Sequence, residues 1–109
     1  MRELAEKKCL SLKDGVTLIT EQEYSDYLDQ VDGWSIENQS LTRKWIFKNH
    51  YQAISFVNAI AWISHSENHH PCITVGFKDV NVKYSTHDVN GISENDFICA
   101  AKVNRLSVD

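Results

Sequence analysis

The fold of this chain is constrained most by two pairs of short segments with strand periodicity. One long helical segment separates the first pair from the second. Residues 34–37 alternate apolar and polar side chains, and residues 40–48 place Leu41, Arg43, Trp45 and Phe47 on one face of a second strand, with a tight turn at Asn38-Gln39 between the two. Residues 72–77 and 80–85 are short runs rich in β-branched and aromatic residues. Strands that pair with their neighbours in sequence predict an antiparallel sheet of four strands.

Three segments have the period of a helix. Thr20 and Glu23 match a capping box before a predicted helix over residues 21–31, and Asn49 can cap a second helix that ends near Ser64. A third helix follows residues 93–96, which resemble a capping box. The apolar positions expected to face the core are Tyr24, Tyr27, Leu28 and Val31 in the first helix, Ile54, Val57, Ile60 and Ala61 in the second, and Phe97, Ile98, Ala101 and Val103 in the third.

The resulting element order, α-β-β-α-β-β-α, predicts an α+β fold in which an antiparallel four-stranded sheet carries helices packed on one face. A chain of 109 residues fits one domain. We place this domain at residues 20–109, after an irregular lead-in over residues 1–19. The uncovered sheet face and the sheet edges favour self-association.

Composition excludes several classes of function. The formal charge of −4, with Lys and Arg scattered along the chain, disfavours nucleic-acid binding. No apolar run has the length of a membrane span and the first residues lack a secretory signal, so we expect a cytoplasmic protein without a membrane partner. Cys9, Cys72 and Cys99 are an odd number without a CxxC pair, which predicts reduced thiols, with Cys99 in the core.

Histidine clustering is the main indication of chemistry. Four of the five histidines, His65, His69, His70 and His87, fall within 23 residues. Histidine gains and loses a proton near neutral pH, so such a cluster suits acid–base catalysis. A metal site is the alternative, because His65 and His69 at i and i+4 share a helix face, although the glutamate of an HExxH motif is absent. Taken alone, His69-His70-Pro71 is also typical of a solvated helix end.

Three stretches together resemble one known family. Asn68-His69-His70-Pro71, Tyr84-Ser85-Thr86-His87-Asp88 and Gly91-Ile92-Ser93-Glu94-Asn95-Asp96-Phe97 look like the signature of the pterin-4a-carbinolamine dehydratases in residues and spacing. Gly33-Trp34, the strand that follows and the long helix also look like that family, so the resemblance extends over residues 20–105. It implies an antiparallel four-stranded sheet with helices on one side and association into a homodimer or homotetramer.

The resemblance also implies positions for the active site. These are three catalytic histidines and two further substrate-binding residues: His69, His70, His87, Asp96 and Trp34. One position departs from the family, because His65 stands where its members usually carry glutamate. Glu67 is two residues further on, which is about 200° of helical rotation, so we do not expect it to take the place of that glutamate.

The activity that the resemblance implies is that of a hydro-lyase, which removes water from a 4a-hydroxytetrahydropterin to give a quinonoid dihydropterin. The product would be recycled as the cofactor of an aromatic amino acid hydroxylase, and the reaction would need neither a metal nor another cofactor. We assign acid and base work to His69 and His87, and binding and orientation to His70. Asp96 would hold a histidine in one tautomer or accept hydrogen bonds from the pterin.

Two alternatives remain open on the sequence. One is a non-catalytic pterin-binding or dimerisation module that acts as the coactivator of a transcription factor. The other is a relative that acts in molybdopterin metabolism, which the histidine at position 65 suggests.

Overall fold

The computed structural model describes residues 3–106 and has the predicted element order. Its helices and strands are α1 (Tyr24–Leu28), β1 (Ser35–Glu37), β2 (Ser40–Ile46), α2 (His50–Glu67), β3 (Cys72–Val75), β4 (Asp79–Tyr84) and α3 (Glu94–Asn104). The four strands form one antiparallel sheet in the order β1-β2-β4-β3. The predicted α+β fold is therefore confirmed.

One face of the sheet is buried under α2 and α3. The β4 residues Val80, Val82 and Tyr84 are fully buried, and Leu41 lies opposite Tyr84 on β2 and is fully buried as well. The residues between them in sequence point to the other face, where Asn81 is half-buried and Lys83 is exposed. The alternation along β2 and β4 thus places the core between the sheet and the helices, as the sequence pattern predicted.

The first helix is shorter than predicted. The capping box at Thr20 and Glu23 is present, but it opens a 3₁₀ turn over Glu21–Glu23 before α1 begins. The C-terminal end also tightens, because the N–H of Val31 bonds to the carbonyl of Leu28, three residues back. Val31 is still fully buried, as its apolar position in the pattern predicted.

The second helix is three residues longer than predicted, and its buried stripe is rotated. Ile54 and Ala61 are exposed, which corrects two of the four expected core positions, and Ile60 is buried as expected. Phe56 sets the rotation, because its ring packs against the rings of Trp45 at 4.8 Å and Phe47 at 5.0 Å. The residues of α2 that face the core are Ala53, Phe56, Ile60, Ile63 and Ser64.

Residues 3–19 contain no α-helix or sheet strand, yet this segment packs against α3. Leu4 is buried, and the Lys102 ammonium donates to the carbonyl of Ala5 at 2.9 Å. Cys99 is buried in α3, with its sulfur 3.6 Å from that of Cys9. The hydrogen bond to Cys9, together with burial, raises the pKa of the Cys99 thiol, so this side chain acts as a small core residue.

No helix in residues 3–106 combines the length and the apolar character that crossing a membrane requires.

Candidate active site

His69 owes its position to the way α2 ends. Asn68 adopts a left-handed conformation with φ 52° and ψ 42°, and the N–H groups of Asn68 and His69 both bond to the carbonyl of Ser64. This pattern is a helix stop of the Schellman type, which turns the chain away from the helix axis. His69 therefore lies outside the helix, and the i, i+4 relation to the exposed His65 is lost.

The loss of that relation removes the basis of the alternative, a metal site built on His65 and His69. Within residues 3–106, no three His, Cys, Asp or Glu side chains come together in a group that could hold a metal ion. His65 instead lies beside Trp62, with ring centroids 6.1 Å apart on the exposed surface of α2.

The buried carboxylate of Asp96 is the partner of His69. Its Oδ1 lies 2.6 Å from Nε2 of His69, and its Oδ2 accepts hydrogen bonds from the Thr86 hydroxyl and the Ser93 N–H, both at 2.9 Å. An ionised carboxylate can only accept, so Nε2 of His69 is the donor. In the neutral ring, Nδ1 is then the nitrogen that can accept a proton, and within residues 3–106 it has no hydrogen-bond partner.

Tyr84 fixes the plane of the same ring. The two rings stack with centroids 5.7 Å apart and an angle of 10° between their planes. Tyr84 belongs to β4 and is fully buried, and burial raises the pKa of its hydroxyl, so it stays neutral. The imidazole is thus oriented by a carboxylate at one nitrogen and by an aromatic face, which leaves it only 13% exposed.

A cavity of about 310 Å³ opens beside His69. This volume is at the lower end of the range found for small-molecule sites. Polar side chains from α2, α3 and the loops form one part of its lining, and an apolar part comes from the lead-in. The lining residues are Cys9, Leu10, Ser11, Leu12, Val16, Glu67, Asn68, His69, Thr86, Asp88 and Asn95.

The other two predicted catalytic histidines, His70 and His87, are neighbours in sequence of lining residues but do not line this cavity themselves. His87 starts a 3₁₀ turn over His87–Val89, is exposed, and borders a shallower cavity of about 180 Å³. Thr86 lines both cavities. His70 is exposed and lines neither cavity.

Comparison with known proteins identifies the family to which this chain belongs. Residues 17–106 match the family model described as pterin 4 alpha carbinolamine dehydratase. The match contains His69, His70, His87 and Asp96. The chain belongs to the pterin-4a-carbinolamine dehydratase family.

Relatives that bear the name pterin-4-alpha-carbinolamine dehydratase match along nearly their whole length. One from Dechloromonas aromatica is 48% identical over 103 residues, which cover 94% of this chain and 92% of the relative. One from Nitrosospira multiformis is 45% identical, over 95% of this chain and 92% of the relative. The sequence prediction of membership in a hydro-lyase family is therefore confirmed.

A solved structure supports the same fold. The transcriptional coactivator/pterin dehydratase from Brucella melitensis is 31% identical and has a TM-score of 0.77, covering 81% of this chain and 96% of that one. A pterin dehydratase-like RuBisCO assembly factor of the alpha-carboxysome is 24% identical with a TM-score of 0.55, which indicates the fold alone.

Trp34, the aromatic that the pterin dehydratase resemblance pointed to, lies at the other end of α3. It is buried, its indole N–H donates to Oδ1 of Asn104 at 2.8 Å, and its ring is 6.1 Å from that of Tyr84. It does not line the cavity beside His69. Its contact with a pterin therefore stays a prediction, and its visible role is in the core.

Glu67 reaches the cavity although the helical rotation gave no reason to expect it. Its side chain is 5% exposed, Oε1 accepts the N–H of Cys9 at 2.8 Å, and Oε2 lies 3.6 Å from the Lys102 ammonium. Because Glu67 is the last residue of α2, the chain reversal at Asn68 brings it beside His69. A sequence signal for this placement exists only in Asn68, which tolerates the left-handed conformation.

Proposed function

We propose that this chain converts a 4a-hydroxytetrahydropterin to a quinonoid dihydropterin by histidine acid–base catalysis. The observation that carries the proposal is the arrangement at His69: an imidazole fixed by Asp96 and Tyr84, with Nδ1 unpaired among the residues that the structure describes, beside a cavity large enough for a small ligand. A general base needs this combination of fixed orientation, one available nitrogen and access to the substrate.

The reaction divides into two proton movements. An acid protonates the 4a-hydroxyl, which leaves as water while electrons from a ring nitrogen form the new double bond. A base removes a proton from the pterin, so the net loss is one molecule of water. We assign these movements to His69 and His87, with His70 binding and orienting the pterin, and each proton transfer contributes about 10²- to 10⁴-fold to the rate.

The remaining proposed site residues support that chemistry from a distance or by binding. Asp96 holds the tautomer of His69, since it accepts the hydrogen of Nε2. Trp34 is proposed as a further pterin-binding residue on the resemblance. No metal or redox cofactor enters the reaction, since the loss of water transfers protons only.

We further propose that the enzyme is cytoplasmic and recycles the pterin cofactor of an aromatic amino acid hydroxylase as a homodimer or homotetramer. Large apolar side chains on the surface support self-association: Ile46, Tyr51, Trp62 and Phe77 are each at least 69% exposed. Their exposure is what an interface between copies would bury.

A second candidate is a binding module without catalysis. The Brucella melitensis structure is of a protein named both transcriptional coactivator and pterin dehydratase. On that reading the exposed apolar side chains would serve a partner protein.

The rate of 4a-hydroxytetrahydropterin dehydration, followed by absorbance, tests the proposal. We expect the wild type to exceed the spontaneous rate, and His69→Ala and His87→Ala each to lower it about a hundredfold or more. His50→Ala is the matched control, because His50 is exposed at the start of α2 and bonds to the carbonyl of Phe77, outside both cavities. A wild-type rate equal to the spontaneous one would end the enzyme proposal and favour the binding module.

A further inference from the structure

The lead-in supplies the apolar part of the cavity beside His69. Leu10, Leu12 and Val16 line it, and the two leucines are 46% and 56% exposed although they are large and apolar. The lining also includes Glu67 and Asp88 together with the polar residues of the site. A ligand in this cavity therefore meets both hydrogen-bonding groups and uncovered hydrocarbon.

The apolar wall is held in place by hydrogen bonds from α2 and α3. The amide of Asn95 pairs with the backbone of Leu10 in both directions, accepting its N–H at 2.9 Å and donating to its carbonyl at 2.7 Å. The Glu67 carboxylate holds the N–H of Cys9 at 2.8 Å. These bonds connect positions that are 58 and 85 residues apart, so the wall is built by the tertiary fold.

A turn returns the chain to the cavity. Ser11 and Asp14 bond through their side chains at 2.9 Å, Gly15 has φ +88°, and the N–H of Val16 reaches the carbonyl of Ser11 at 3.3 Å. A glycine suits that position because side-chain-bearing residues rarely adopt a positive φ. The turn explains how residues 10 to 12 and Val16 border one cavity.

We infer that residues 9–16 select the substituent on the pterin ring, and that the site prefers a neutral, apolar substituent to one that carries a phosphate. The inference rests on the proposed function and goes beyond it to substrate choice. An apolar substituent covers the exposed leucines, which removes hydrocarbon from water. A phosphate would lose its water near Asp88, whose charge repels it, and near Glu67, whose charge is only partly offset by Lys102 at 3.6 Å.

The test compares two substrates, the 6-methyl 4a-hydroxytetrahydropterin and an analogue with a phosphate monoester on the 6-substituent. We expect the wild type to have a kcat/KM at least about tenfold higher for the 6-methyl substrate. The variant Leu10→Ser/Leu12→Ser should raise KM for that substrate about tenfold and leave kcat within about twofold, because only binding to the wall is lost.

Leu18→Ser is the matched control, since Leu18 belongs to the same lead-in and is 53% exposed but does not line the cavity. An unchanged KM in the double variant, or a wild type that favours the phosphate-bearing substrate, overturns the inference. Should the wild type show no dehydration, binding of 6-methylpterin, measured by quenching of its fluorescence, decides the matter separately. Equal affinity of the wild type and the double variant, or no binding by either, would then refute the selection of the substituent by this wall.

Discussion

The two ends of α3 have similar hydrogen-bond networks but differ in the chemistry that these networks support. At the first turn, Asp96 accepts hydrogen bonds from His69, Thr86 and Ser93. At the last residue, Asn104 accepts from Trp34 at 2.8 Å and from Arg43 at 2.7 Å, and donates to the carbonyl of Asp32 at 3.0 Å. At each end, one polar side chain forms hydrogen bonds with groups from distant parts of the chain.

The presence of a cavity does not distinguish the two ends of α3, because Asn104 also borders one, of about 400 Å³. The difference lies in the partners. Asp96 orients an imidazole, a group able to take up and release a proton, whose Nδ1 has no hydrogen-bond partner in the described part of the chain. Asn104 instead holds an indole and a guanidinium, which do not serve in proton exchange. A polar cluster beside a cavity therefore becomes a candidate for catalysis only when it orients a group that can exchange a proton.

The largest expected effect on stability and rate comes from substituting the polar side chain at each end of α3, Asp96 or Asn104. Asp96→Ala leaves three donors without their acceptor, so we expect the free energy of unfolding to fall by about 2–5 kcal/mol and the rate per folded molecule to fall about a hundredfold. Asn104→Ala should lower the free energy of unfolding by about 1–3 kcal/mol and leave the rate within about twofold. Urea unfolding and dehydration rates measure both.

The comparison between the ends breaks if Asn104→Ala slows dehydration as much as Asp96→Ala does. That result would mean that the end of α3 next to Trp34 takes part in the reaction, as the resemblance suggested for Trp34. Asp96→Asn separates charge from shape, because the amide keeps the size of the side chain but can accept at only one of its two terminal atoms.

A smaller effect is expected at Thr86, whose hydroxyl reaches Asp96 at 2.9 Å and Ser93 at 2.7 Å. Thr86→Val removes one of the three donors to Asp96, so we expect a loss of about 1 kcal/mol in stability and a rate several-fold lower, about three- to tenfold. Thr86→Ser keeps the hydroxyl and should restore the rate. Thr42→Val serves as the control, because Thr42 is a buried threonine on β2 that bonds to Asn81 and not to Asp96.

Local pattern predicted the elements well and part of the site. The two-residue period of residues 40–48, which puts Leu41, Trp45 and Phe47 on one face, predicted β2, and the Ser93–Asp96 spacing predicted the start of α3. The same aspartate serves both as helix cap and as partner of His69, so a local signal marked a site residue. The rotation of α2 could not be predicted, because it is set by the contact of Phe56 with rings of another element.

The parts of the site that could not be predicted from the sequence depend on contacts between residues far apart in the chain. Glu67 enters the cavity because Asn68 reverses the chain, and the lead-in enters because Glu67 and Asn95 bind its backbone. None of these contacts has a periodicity that a single sequence could reveal. His70 and His87 were predicted from the family signature, and their participation remains a prediction that the substitution experiments address.

The smallest expected effect concerns Tyr27, which attaches α1 to the site end of α3. Its hydroxyl donates to Oε2 of Glu94 at 2.7 Å, and burial, followed by this bond and the charge of Glu94, raises the pKa of Tyr27 to about 12. The ordinary pKa is about 10, so the fold favours the neutral phenol. The resulting stabilisation is fully present below about pH 10 and is lost as the pH rises through about 12.

Tyr27→Phe should therefore make the protein less stable than the wild type near pH 8, and this difference should shrink between about pH 10 and 12. Thermal unfolding across that range measures it, with Tyr51→Phe as the control because Tyr51 is 81% exposed. The dehydration rate at neutral pH should not change, since Glu94 also holds Lys7 at 3.3 Å and keeps its place on α3. A constant stability difference across that range would show that the phenol is not held neutral by the fold. The site end of α3 would then depend on Asp96 for its electrostatic stabilisation rather than on the Glu94 contacts.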